Sequence, residues 1–448
     1  MKKYRIRWDR LVMLLAAVVA VCVTVYYIII GVITLGSWFL SLFGNFNLSS
    51  YLPKRSERKE MPKHVTEQQK AEAMKMTARI DSFMLLPTRL EKEKIAISVY
   101  DLTTQQHIYS YQADKLFTPA SCMKIPTAVA ALKILGINHR MRASLQIRGE
   151  ILRDTLFGNL LLHADADPMV TSLSSLTAKL RKAGVKHIKG NIYLSLAHSD
   201  RLVPHPSAKS WDIPFNKTPL LLKGEGVVRR HLMACLSADG ITFKRDHSQR
   251  PKGKYRCVAN VSHPMIDPMV PMMRNSSNIM AETILFHLDH KKGLMKKNQT
   301  DYSVCHAHET FWRKVFSADT THQFNLFVFN DGSGLSPDNR LTAHALTDML
   351  RYAYVDEEIY NYLVNTALAS PYCERRGSLL TRLSRPEYRG LIFCKTGTMT
   401  TRGISSIAGY LEGGDGHWYI FTIMNDDSPV AEARMYQDRL LKLMMKKQ

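Results

Sequence analysis

Three short motifs place a nucleophile, two amines and several hydrogen-bonding groups in one order along the chain. They read S-x-x-K at Ser121–Lys124, S-x-N at Ser276–Asn278 and K-T-G at Lys395–Gly397. Each motif is weak alone, because short patterns of this kind arise by chance in a long chain. Together, in this order and beside predicted helices and strands, they favour serine-based acyl transfer from an amide.

Acyl transfer of this kind needs a nucleophile, a base, a proton donor for the leaving nitrogen and a site for the oxyanion. We predict that Ser121 is the nucleophile and that Lys124 takes its proton, because residues three apart share one face of a helix. An ammonium group cannot act as a base, so Lys124 must be held neutral. Burial and a neighbouring cation, here Lys395, both favour the neutral amine.

The second motif is predicted to serve the leaving group and the catalytic lysine. Ser276 would bridge Lys124 and Lys395 and would relay a proton to the departing amine. Asn278 would bond the substrate amide or hold Lys124 in place. These roles need one hydroxyl and one amide two positions apart, which is what S-x-N supplies.

The third motif is predicted to bind the substrate along an edge strand. Lys395 would face the substrate carboxylate, and Thr396 would donate a hydrogen bond to it. Gly397 has no side chain, which lets substrate backbone approach the strand closely. The backbone N–H groups of Ser121 and Thr398 would form the oxyanion hole.

Each motif also has a simpler explanation. A serine before a helix is often an N-cap with a surface lysine nearby, residues 275–278 would suit an ordinary N-cap, and K-T-G is a common hairpin turn. The surroundings favour chemistry instead. After Ser121, Lys133 is the only charge between the motif and Gly136, and a run of β-forming residues leads into Lys395.

Other clusters of reactive residues are weaker signals. The segment Cys305–Glu309 (CHAHE) resembles a set of metal ligands, but no second cluster accompanies it, so we predict no metal and no cofactor. The segment His163–Asp167 is predicted to be a strand end and a turn. No G-x-S-x-G surrounds Ser121 and no histidine is obviously paired with it, which argues against a Ser-His-Asp hydrolase.

The chain carries a formal net charge of +22 over 448 residues. A basic balance of this size favours an acidic partner, such as nucleic acid or an anionic membrane surface. The lysines and arginines are scattered rather than grouped, and the sequence contains no nucleic-acid-binding motif. We therefore predict no nucleic-acid partner.

The N-terminus is predicted to anchor the chain in a membrane. Residues 11–43 contain no charged side chain, and this stretch is longer than the roughly 20 residues that span a bilayer. Basic residues within 1–10 favour a cytoplasmic tail, which places the rest on the outer, periplasmic side of the cytoplasmic (inner) membrane. Residues 44–65 are predicted to be a linker. A cleaved signal peptide with an unusually long apolar core is the alternative.

The remaining sequence predicts an α/β (α+β) protein in which one domain interrupts another. Helices are predicted at 67–86, 125–135, 173–184, 278–290 and 430–445. Strands are predicted at 95–100, 107–111, 142–152, 156–162, 187–196, 390–396, 404–411 and 418–424, with several short strands around 220–228 and 240–259. Chain order then gives a catalytic domain from 66–139 and 263–448, split by a smaller inserted domain at 140–262.

The seven cysteines show no zinc-binding spacing. If the chain is exported, Cys235 and Cys257 are the first choice for a disulfide, because they are close in sequence. Cys122 follows the predicted nucleophile. As a lone buried cysteine it is predicted to pack rather than to react.

On these motifs the chain resembles the low-molecular-mass class C penicillin-binding proteins, the D-alanyl-D-alanine carboxypeptidase/endopeptidase family. The likeness covers roughly residues 90–445 and extends to TPASCMKIPTAVAALKILG (118–136), Asp167-Pro168, DGSGLSPDNRLT (331–342) and KTGTMTTRGISSIAGYL (395–411). The resemblance implies the penicillin-binding-protein/β-lactamase-like transpeptidase fold. That fold has an antiparallel sheet flanked by helices, and we expect one inserted domain.

The resemblance also implies a membrane-anchored serine D,D-peptidase. It would cleave the D-Ala-D-Ala end, or D-amino-acid cross-links, of peptidoglycan stem peptides, and β-lactam antibiotics would acylate Ser121 and leave slowly. One departure is Ser277, where the family commonly has Asp, and it bears on fine geometry rather than on catalysis. Carboxypeptidase and endopeptidase action both stay open. So do a β-lactamase-like hydrolase and a non-catalytic wall-binding protein on the same fold.

Overall fold

Strands and helices alternate through the part of the chain that the structure describes. The computed structural model describes residues 65–198, 200–208, 218–244, 253–292, 307–317, 326–371, 374 and 377–447. Its strands are β1 (Ile95–Asp101), β2 (Gln106–Tyr111), β3 (Arg140–Leu152), β4 (Thr155–Ala164), β5 (His187–Ile188), β6 (Ile192–Leu196), β7 (Thr242–Phe243), β8 (Arg256–Pro264), β9 (Ile392–Met399), β10 (Ile404–Glu412) and β11 (Trp418–Asn425). Its α-helices are α1 (Glu67–Met84), α2 (Lys124–Leu135), α3 (Ser174–Lys182), α4 (Glu225–Ala238), α5 (Ile266–Arg274), α6 (Asn278–Lys291), α7 (Ala307–Val315), α8 (Ala343–Val355), α9 (Glu357–Tyr362) and α10 (Val430–Met445).

The two ends of the described chain meet in one antiparallel sheet with the strand order β2-β1-β11-β10-β9. Strand β1 pairs with β11, with Ile97 opposite Ile423, and β10 pairs with β9, with Ile407 opposite Thr396. This order leaves β9, the strand that carries K-T-G, at an edge of the sheet. An edge strand has backbone groups that a bound peptide can pair with.

Helices cover both faces of this sheet. Ile97 and Val99 of β1 belong to the core that α1 and α10 close, whereas Ala96 and Tyr100 belong to the core that contains α2. A strand buried on both faces is apolar at nearly every position rather than at alternate ones. Helix α2 is itself buried along Lys124–Leu132, so the helix that follows Ser121 lies deep inside the protein.

Strands β3 to β8 form a second, mixed sheet with the order β7-β5-β4-β3-β8, and β6 also pairs with β4. Strand β3 is antiparallel to β4 and β8, whereas β5 and β6 run parallel to β4. Helices α3 and α4 contribute Leu180, Leu232 and Leu236 to the core of this sheet. This is the stretch for which the sequence predicts an insert.

The structure confirms the predicted mixed α/β class and most of the predicted elements. The three final strands and the closing helix agree with the sequence patterns, and the last helix has the predicted bounds of 430–445. Strand β4 ends at Ala164, as expected for a strand end within His163–Asp167. The apolar residues and turn signals of these segments therefore suffice to locate them.

The strand predicted around 220–228 is wrong. A 3₁₀ turn occupies Leu220–Leu222 and helix α4 follows. Val228, Leu232 and Leu236 are the buried residues of α4, and their spacing of four residues matches a helical face. Gly224, with a φ of +93°, precedes the helix. The apolar residues at the start of this segment suggest a strand, and the helical spacing appears only from Val228 onward.

Two other strand predictions are only partly correct. The single strand predicted at 187–196 is divided into β5 and β6, which pair with different parts of β4. Between them, Gly190 lies so close to Gly158 that a Cβ there would overlap the Gly158 carbonyl oxygen. In the stretch predicted to hold several short strands around 240–259, the structure describes β7, which has two residues, and the start of β8.

Cys235 and Cys257, the first choice for a disulfide if one forms, are both free. Cys235 lies on helix α4, and Cys257 is exposed on β8, an edge strand of the second sheet. Closeness in sequence therefore does not bring the two thiols together.

No helix within the described ranges is long and apolar enough to cross a membrane. The predicted tail at 1–10 and the predicted anchor at 11–43 lie outside the described residues, and so does the predicted linker as far as residue 64.

Candidate active site

Ser121 lies in a tight turn that leads directly into the buried helix α2. Residues Ala120–Met123 form a 3₁₀ turn, and Lys124 is the first residue of the helix. Lys124 is fully buried, and its Nζ lies 2.9 Å from Ser121 Oγ. Ala120 has a φ of +44°, a left-handed conformation that residues other than glycine seldom adopt. Such strain is typical of functional turns that the surrounding fold holds in place.

The amine of Lys124 has two strong acceptors besides Ser121, the predicted nucleophile. Its Nζ lies 2.6 Å from Asn278 Oδ1 and 2.6 Å from the carbonyl oxygen of Ser333. A neutral amine has two N–H groups and one lone pair. If the N–H groups go to Asn278 and Ser333, the lone pair is left for the hydroxyl hydrogen of Ser121. The arrangement therefore suits Lys124 as the base for Ser121.

A second buried lysine lies beside a second serine. Lys395 of β9 is fully buried, and its Nζ donates to Ser276 Oγ at 2.9 Å and to the carbonyl oxygen of Thr396 at 2.6 Å. Burial lowers the pKa of Lys395 to about 8, since low polarity disfavours the charged form. Ser276 has a φ of +60°, so this serine also adopts a left-handed conformation.

The S-x-N motif joins the two lysine–serine pairs. Ser276 accepts a hydrogen bond from Lys395, and Asn278 accepts one from Lys124. Residues two positions apart lie within roughly 7 Å of each other along the backbone. The structure thus brings Ser121, Lys124, Ser276, Asn278 and Lys395 into one site. The predicted bridge from Ser276 to both lysines stays a prediction.

Gly397 is in close contact with the turn that carries Ser121, the predicted nucleophile. A Cβ at this position would lie 2.6 Å from the Pro119 carbonyl oxygen and 3.0 Å from the backbone nitrogen of Ser121. Thr398 follows directly, so the two backbone N–H groups predicted for the oxyanion hole belong to segments in mutual contact. Glycine is needed here to bring strand and turn together, in addition to the predicted access for substrate backbone.

The two threonines of the third motif have side-chain partners of their own. Thr396 Oγ1 donates to Ser378 Oγ at 2.7 Å, and Thr398 Oγ1 accepts from Arg434 Nη2 at 2.9 Å. Neither Ser378 nor Arg434 was predicted from the sequence, because no motif marks them. Arg434 brings a further cation to the edge strand that is predicted to bind a carboxylate.

A loop within the segment 331–342, for which the sequence predicts a family resemblance but no catalytic role, supplies the Ser333 carbonyl. Gly334, with a φ of +74°, packs against the nucleophile turn so closely that a Cβ would overlap the carbonyl oxygen of Ala120. Thr127 of α2 also donates to the Gly332 carbonyl oxygen at 2.9 Å. The pattern D-G-S-G marks a tight loop, but a contact made by a backbone carbonyl leaves no trace in residue type.

Two buried carboxyl groups hold this loop. Glu282 accepts from the backbone N–H of Ser333 at 2.8 Å and from that of Gly332 at 3.3 Å. Asp331 accepts from the backbone N–H of Gly334 at 2.7 Å. Burial, together with the negative charge of Asp331, raises the pKa of Glu282 to about 8. A carboxyl group of this kind keeps its proton at neutral pH.

Cys122 packs beside the site, as the sequence predicts. Its side chain is buried, and Cys122 Sγ lies 3.3 Å from the Lys395 carbonyl oxygen. Burial raises the pKa of the Cys122 thiol and raises that of Cys394 to about 12. The thiolate is the reactive form of cysteine, so neither residue competes with Ser121 as a nucleophile.

The CHAHE segment contributes a packing residue near the nucleophile helix. His308 is buried on α7, with Nδ1 3.0 Å from Thr127 Oγ1. Cys305 and His306 lie outside the described residues.

Comparison with known proteins assigns the chain to a family. The family model for D-Ala-D-Ala carboxypeptidase 3, peptidase family S13, matches residues 76–220 and 221–446. The chain belongs to this family. The predicted resemblance to the low-molecular-mass class C penicillin-binding proteins is confirmed, and the chain is a serine-type D-Ala-D-Ala peptidase by family.

Two proteins similar to this S13 peptidase match it along most of their length. The D-alanyl-D-alanine carboxypeptidase of Actinomadura sp. (strain R39) is 21% identical over 444 residues, which cover 78% of this chain and 80% of the relative. The crystal structure of penicillin binding protein 4 (dacB) from Haemophilus influenzae has a TM-score of 0.65 at 17% identity and covers 84% of this chain and 99% of its own. The same Haemophilus protein complexed with a β-lactam has a TM-score of 0.63 at 19% identity, with the same coverage. Both Haemophilus structures have the same fold as this protein.

We expect Gly334→Ala to destabilise the protein by about 2–4 kcal/mol, from the left-handed backbone and the overlap with Ala120. It should also slow acylation of Ser121, because the turn must move. Gly240→Ala is the matched control: Gly240 has a similar φ of +67°, and a Cβ there would have no atom within 4 Å. Thermal unfolding and labelling by a fluorescent penicillin measure both effects. Equal losses of stability and equal labelling rates in the two variants would contradict the prediction.

We expect acylation by a β-lactam that carries a carboxylate to slow above pH 8. Lys395 has a pKa of about 8, so its ammonium charge, which is predicted to face the carboxylate, is present below that pH and lost above it. The second-order rate constant should fall roughly tenfold per pH unit beyond this point. Lys395→Arg keeps its charge over the whole range and should lose the basic limb at a lower overall rate. A wild-type rate constant that stays level up to pH 9.5 would argue against this role.

Proposed function

We propose that the protein is a membrane-anchored serine D,D-peptidase that cleaves the D-Ala-D-Ala end, or the D-amino-acid cross-links, of peptidoglycan stem peptides through an acyl-enzyme. The observation that carries this proposal is the pairing of each buried lysine with one serine hydroxyl. Lys124 lies 2.9 Å from Ser121, and Lys395 lies 2.9 Å from Ser276. Membership of the S13 family supports the class of substrate.

In the acylation step, Ser121 Oγ forms a bond to the substrate carbonyl carbon and Lys124 takes the hydroxyl proton. The backbone N–H groups of Ser121 and Thr398 bind the oxyanion that forms. Ser276 gives its proton to the leaving nitrogen as the C–N bond breaks, and the proton held by Lys124 replaces it. The products are an ester on Ser121 and a free amine, with Lys124 neutral again.

In the deacylation step, water replaces the departed amine. Lys124 takes a proton from the water as the oxygen bonds to the ester carbonyl carbon. That proton passes to Ser121 Oγ when the ester bond breaks, which regenerates the hydroxyl. The net reaction is hydrolysis of one peptide bond, and no cofactor or metal is required.

A β-lactam would enter the same pathway and stop at the ester. Attack by Ser121 opens the strained ring amide, but the leaving nitrogen stays attached to the acyl group and occupies the place that water needs. Covalent binding with slow release follows from this geometry. The Haemophilus penicillin binding protein 4 complexed with a β-lactam, which shares the fold, supports this part of the proposal.

The substrate would lie along the edge strand β9, with its carboxylate toward Lys395 and Thr396. Strand pairing at the edge aligns the scissile carbonyl with the nucleophile turn, because Gly397 contacts that turn directly. The Arg434 guanidinium, bonded to Thr398, adds positive potential at the same end. A carboxylate beside these cations is favoured by Coulomb attraction in a site of low polarity.

We further propose that residues 66–139 and 263–448 form the catalytic domain and that residues 140–262 form the insert. The insert reaches the loop that carries Ser333: Ser207 Oγ lies 2.6 Å from Ser336 Oγ. A wall built from the insert at this point would decide which stem peptides fit. It would therefore determine the balance between carboxypeptidase and endopeptidase action.

The anchor is proposed to be residues 11–43, which contain no charged side chain. With a basic tail at 1–10 on the cytoplasmic side, the chain would be a single-pass protein of the cytoplasmic (inner) membrane. The catalytic domain would then lie on the outer, periplasmic side, where peptidoglycan is found. The linker at 44–65 would separate the bilayer from helix α1.

We expect a fluorescent penicillin to label the wild-type protein on Ser121 and to fail to label Ser121→Ala. Ser277→Ala is the matched control, because Ser277 precedes α6 as its N-cap residue without a side-chain capping bond and has no proposed catalytic role. It should label at close to the wild-type rate. Peptide mapping of the labelled protein identifies the modified residue, and a Ser121→Ala variant that still labels would refute the nucleophile assignment.

The same preparations distinguish the remaining alternatives. Purified muropeptides should yield free D-Ala if the enzyme is a carboxypeptidase, or severed dimers if it is an endopeptidase. Rapid loss of the penicillin label through turnover would point to a β-lactamase-like hydrolase instead. An unlabelled wild-type protein that still binds peptidoglycan would point to a non-catalytic wall-binding protein.

We expect the full chain to sediment with membranes and to resist extraction by high salt, because an apolar span is held by the bilayer rather than by charge. Replacing residues 1–43 with a cleavable signal peptide should release a penicillin-labelled protein into the soluble periplasmic fraction. Membrane association that survives this replacement, or that is lost in high salt with residues 1–43 present, would contradict the proposed anchor.

A further inference from the structure

The catalytic lysine depends on a carbonyl group that no regular element holds. Lys124 Nζ lies 2.6 Å from the Ser333 carbonyl oxygen, and Ser333 lies in a loop between α7 and α8. A loop carbonyl can turn away unless its neighbouring N–H groups are fixed. The position of this acceptor therefore depends on what binds the backbone around Ser333.

Glu282 binds the N–H groups of two consecutive residues of that backbone, and Asp331 accepts at 2.7 Å from the Gly334 N–H, which belongs to the same peptide unit as the Ser333 carbonyl. Glu282 Oε1 accepts from the N–H of Ser333 at 2.8 Å, and its Oε2 accepts from the N–H of Gly332 at 3.3 Å. Glu282 is 1% exposed, so water does not compete for these bonds. A hydrogen bond inside such a site is expensive to leave unmade.

Helix α6 therefore acts on Lys124 at two points. Asn278 and Glu282 are four residues apart and lie on one face of the helix. Asn278 bonds Lys124 directly, and Glu282 fixes the loop that presents the Ser333 carbonyl. Since a helix is rigid over one turn, the Asn278 amide and the Glu282 carboxyl group keep a fixed distance from each other. The loop that Glu282 holds is thereby fixed relative to Asn278.

We propose that Glu282 is a positioning residue for the base Lys124: its carboxyl group fixes the Gly332–Ser333 backbone so that the Ser333 carbonyl oxygen meets the amine. This inference rests on the proposed function, in which Lys124 takes the proton of Ser121. Glu282 acts through the loop and bonds to no reacting atom.

The protonation state of Glu282 indicates which variant should replace it best. The pKa of Glu282 is raised to about 8 by burial and by Asp331, so at neutral pH the group is a neutral acid with one good acceptor oxygen. A glutamine side chain has the same shape and keeps one acceptor oxygen for the shorter bond from the Ser333 N–H, while its NH2 group gives up the longer bond from the Gly332 N–H. Alanine removes both acceptors and leaves two buried N–H groups without a partner.

The test separates binding from acylation, using the full-length chain in detergent and a fluorescent penicillin at several concentrations at pH 7. We expect Glu282→Ala to lower the acylation rate constant by about 30- to 100-fold, because a base misplaced by about 1 Å loses that order of rate. Its dissociation constant for the penicillin should change less than about threefold. Glu282→Gln should stay within about fivefold of the wild-type rate constant.

Asp289→Ala is the matched control. Asp289 is also a fully buried carboxyl group of α6, and it accepts from the backbone N–H of Ala307 at 2.8 Å, more than one helical turn beyond Glu282. It should lower the unfolding temperature with an acylation rate constant close to that of the wild type. If Glu282→Ala does not fold, Glu282→Met takes its place, since it fills a similar volume with no oxygen acceptor.

The outcomes are distinct. A low acylation rate constant in the alanine or methionine variant, restored by glutamine and absent from Asp289→Ala, supports the positioning role. A wild-type rate constant in Glu282→Ala or Glu282→Met overturns it, and so does an equal loss in Asp289→Ala. If the wild-type protein itself takes no label, the proposed function fails and this inference falls with it.

Discussion

The site depends on two lysine side chains that are kept out of water. Lys124 and Lys395 are both fully buried, and an ammonium group in such surroundings loses solvation that only close acceptors can offset. For Lys395 the loss of solvation outweighs the nearby acceptors and lowers the pKa of the amine to about 8. If water reached the amines, it would stabilise the ammonium forms and remove the base. The apolar helix α2, the edge of the first sheet and the 331–334 loop all close around these two groups.

Close backbone contact is the second requirement, and two glycines meet it. At Gly334 a side chain would overlap the Ala120 carbonyl oxygen, and at Gly397 it would press on Pro119 and Ser121. The nucleophile turn is thus held between the loop and the edge strand, with Ala120 in a strained conformation. The antiparallel sheet makes this possible, because it pairs strands from both ends of the described chain and so brings K-T-G to the first motif.

Much of the site could be predicted because its chemistry resides in side-chain types at fixed spacing. Serine and lysine three residues apart imply one helix face, and a run of β-forming residues before Lys395 implies a strand. Other parts carry no such mark. Ser333 acts through its carbonyl oxygen, which every residue has, and Glu282 looks like an ordinary helix glutamate until its burial is known. Helix α4 was missed because Leu220–Leu222 and the two valines that follow favour a strand locally, whereas the core packing of the second sheet selects a helix.

On the proposed roles, substrate binding and activation of the base are one event. A substrate carboxylate beside Lys395 favours its ammonium form, and a positive charge there disfavours a second one on Lys124. Ser276 and Asn278, which bond the two lysines, are two positions apart, so both amines belong to one buried site, where low polarity strengthens interactions between charges. The effect is largest near and above pH 8, where Lys395 in the empty site has lost much of its charge. Part of the binding energy of the carboxylate is thereby used to keep Lys124 neutral, so that this amine can take the proton of Ser121. Binding energy used in this way raises the rate of the chemical step and not only the affinity for the ligand.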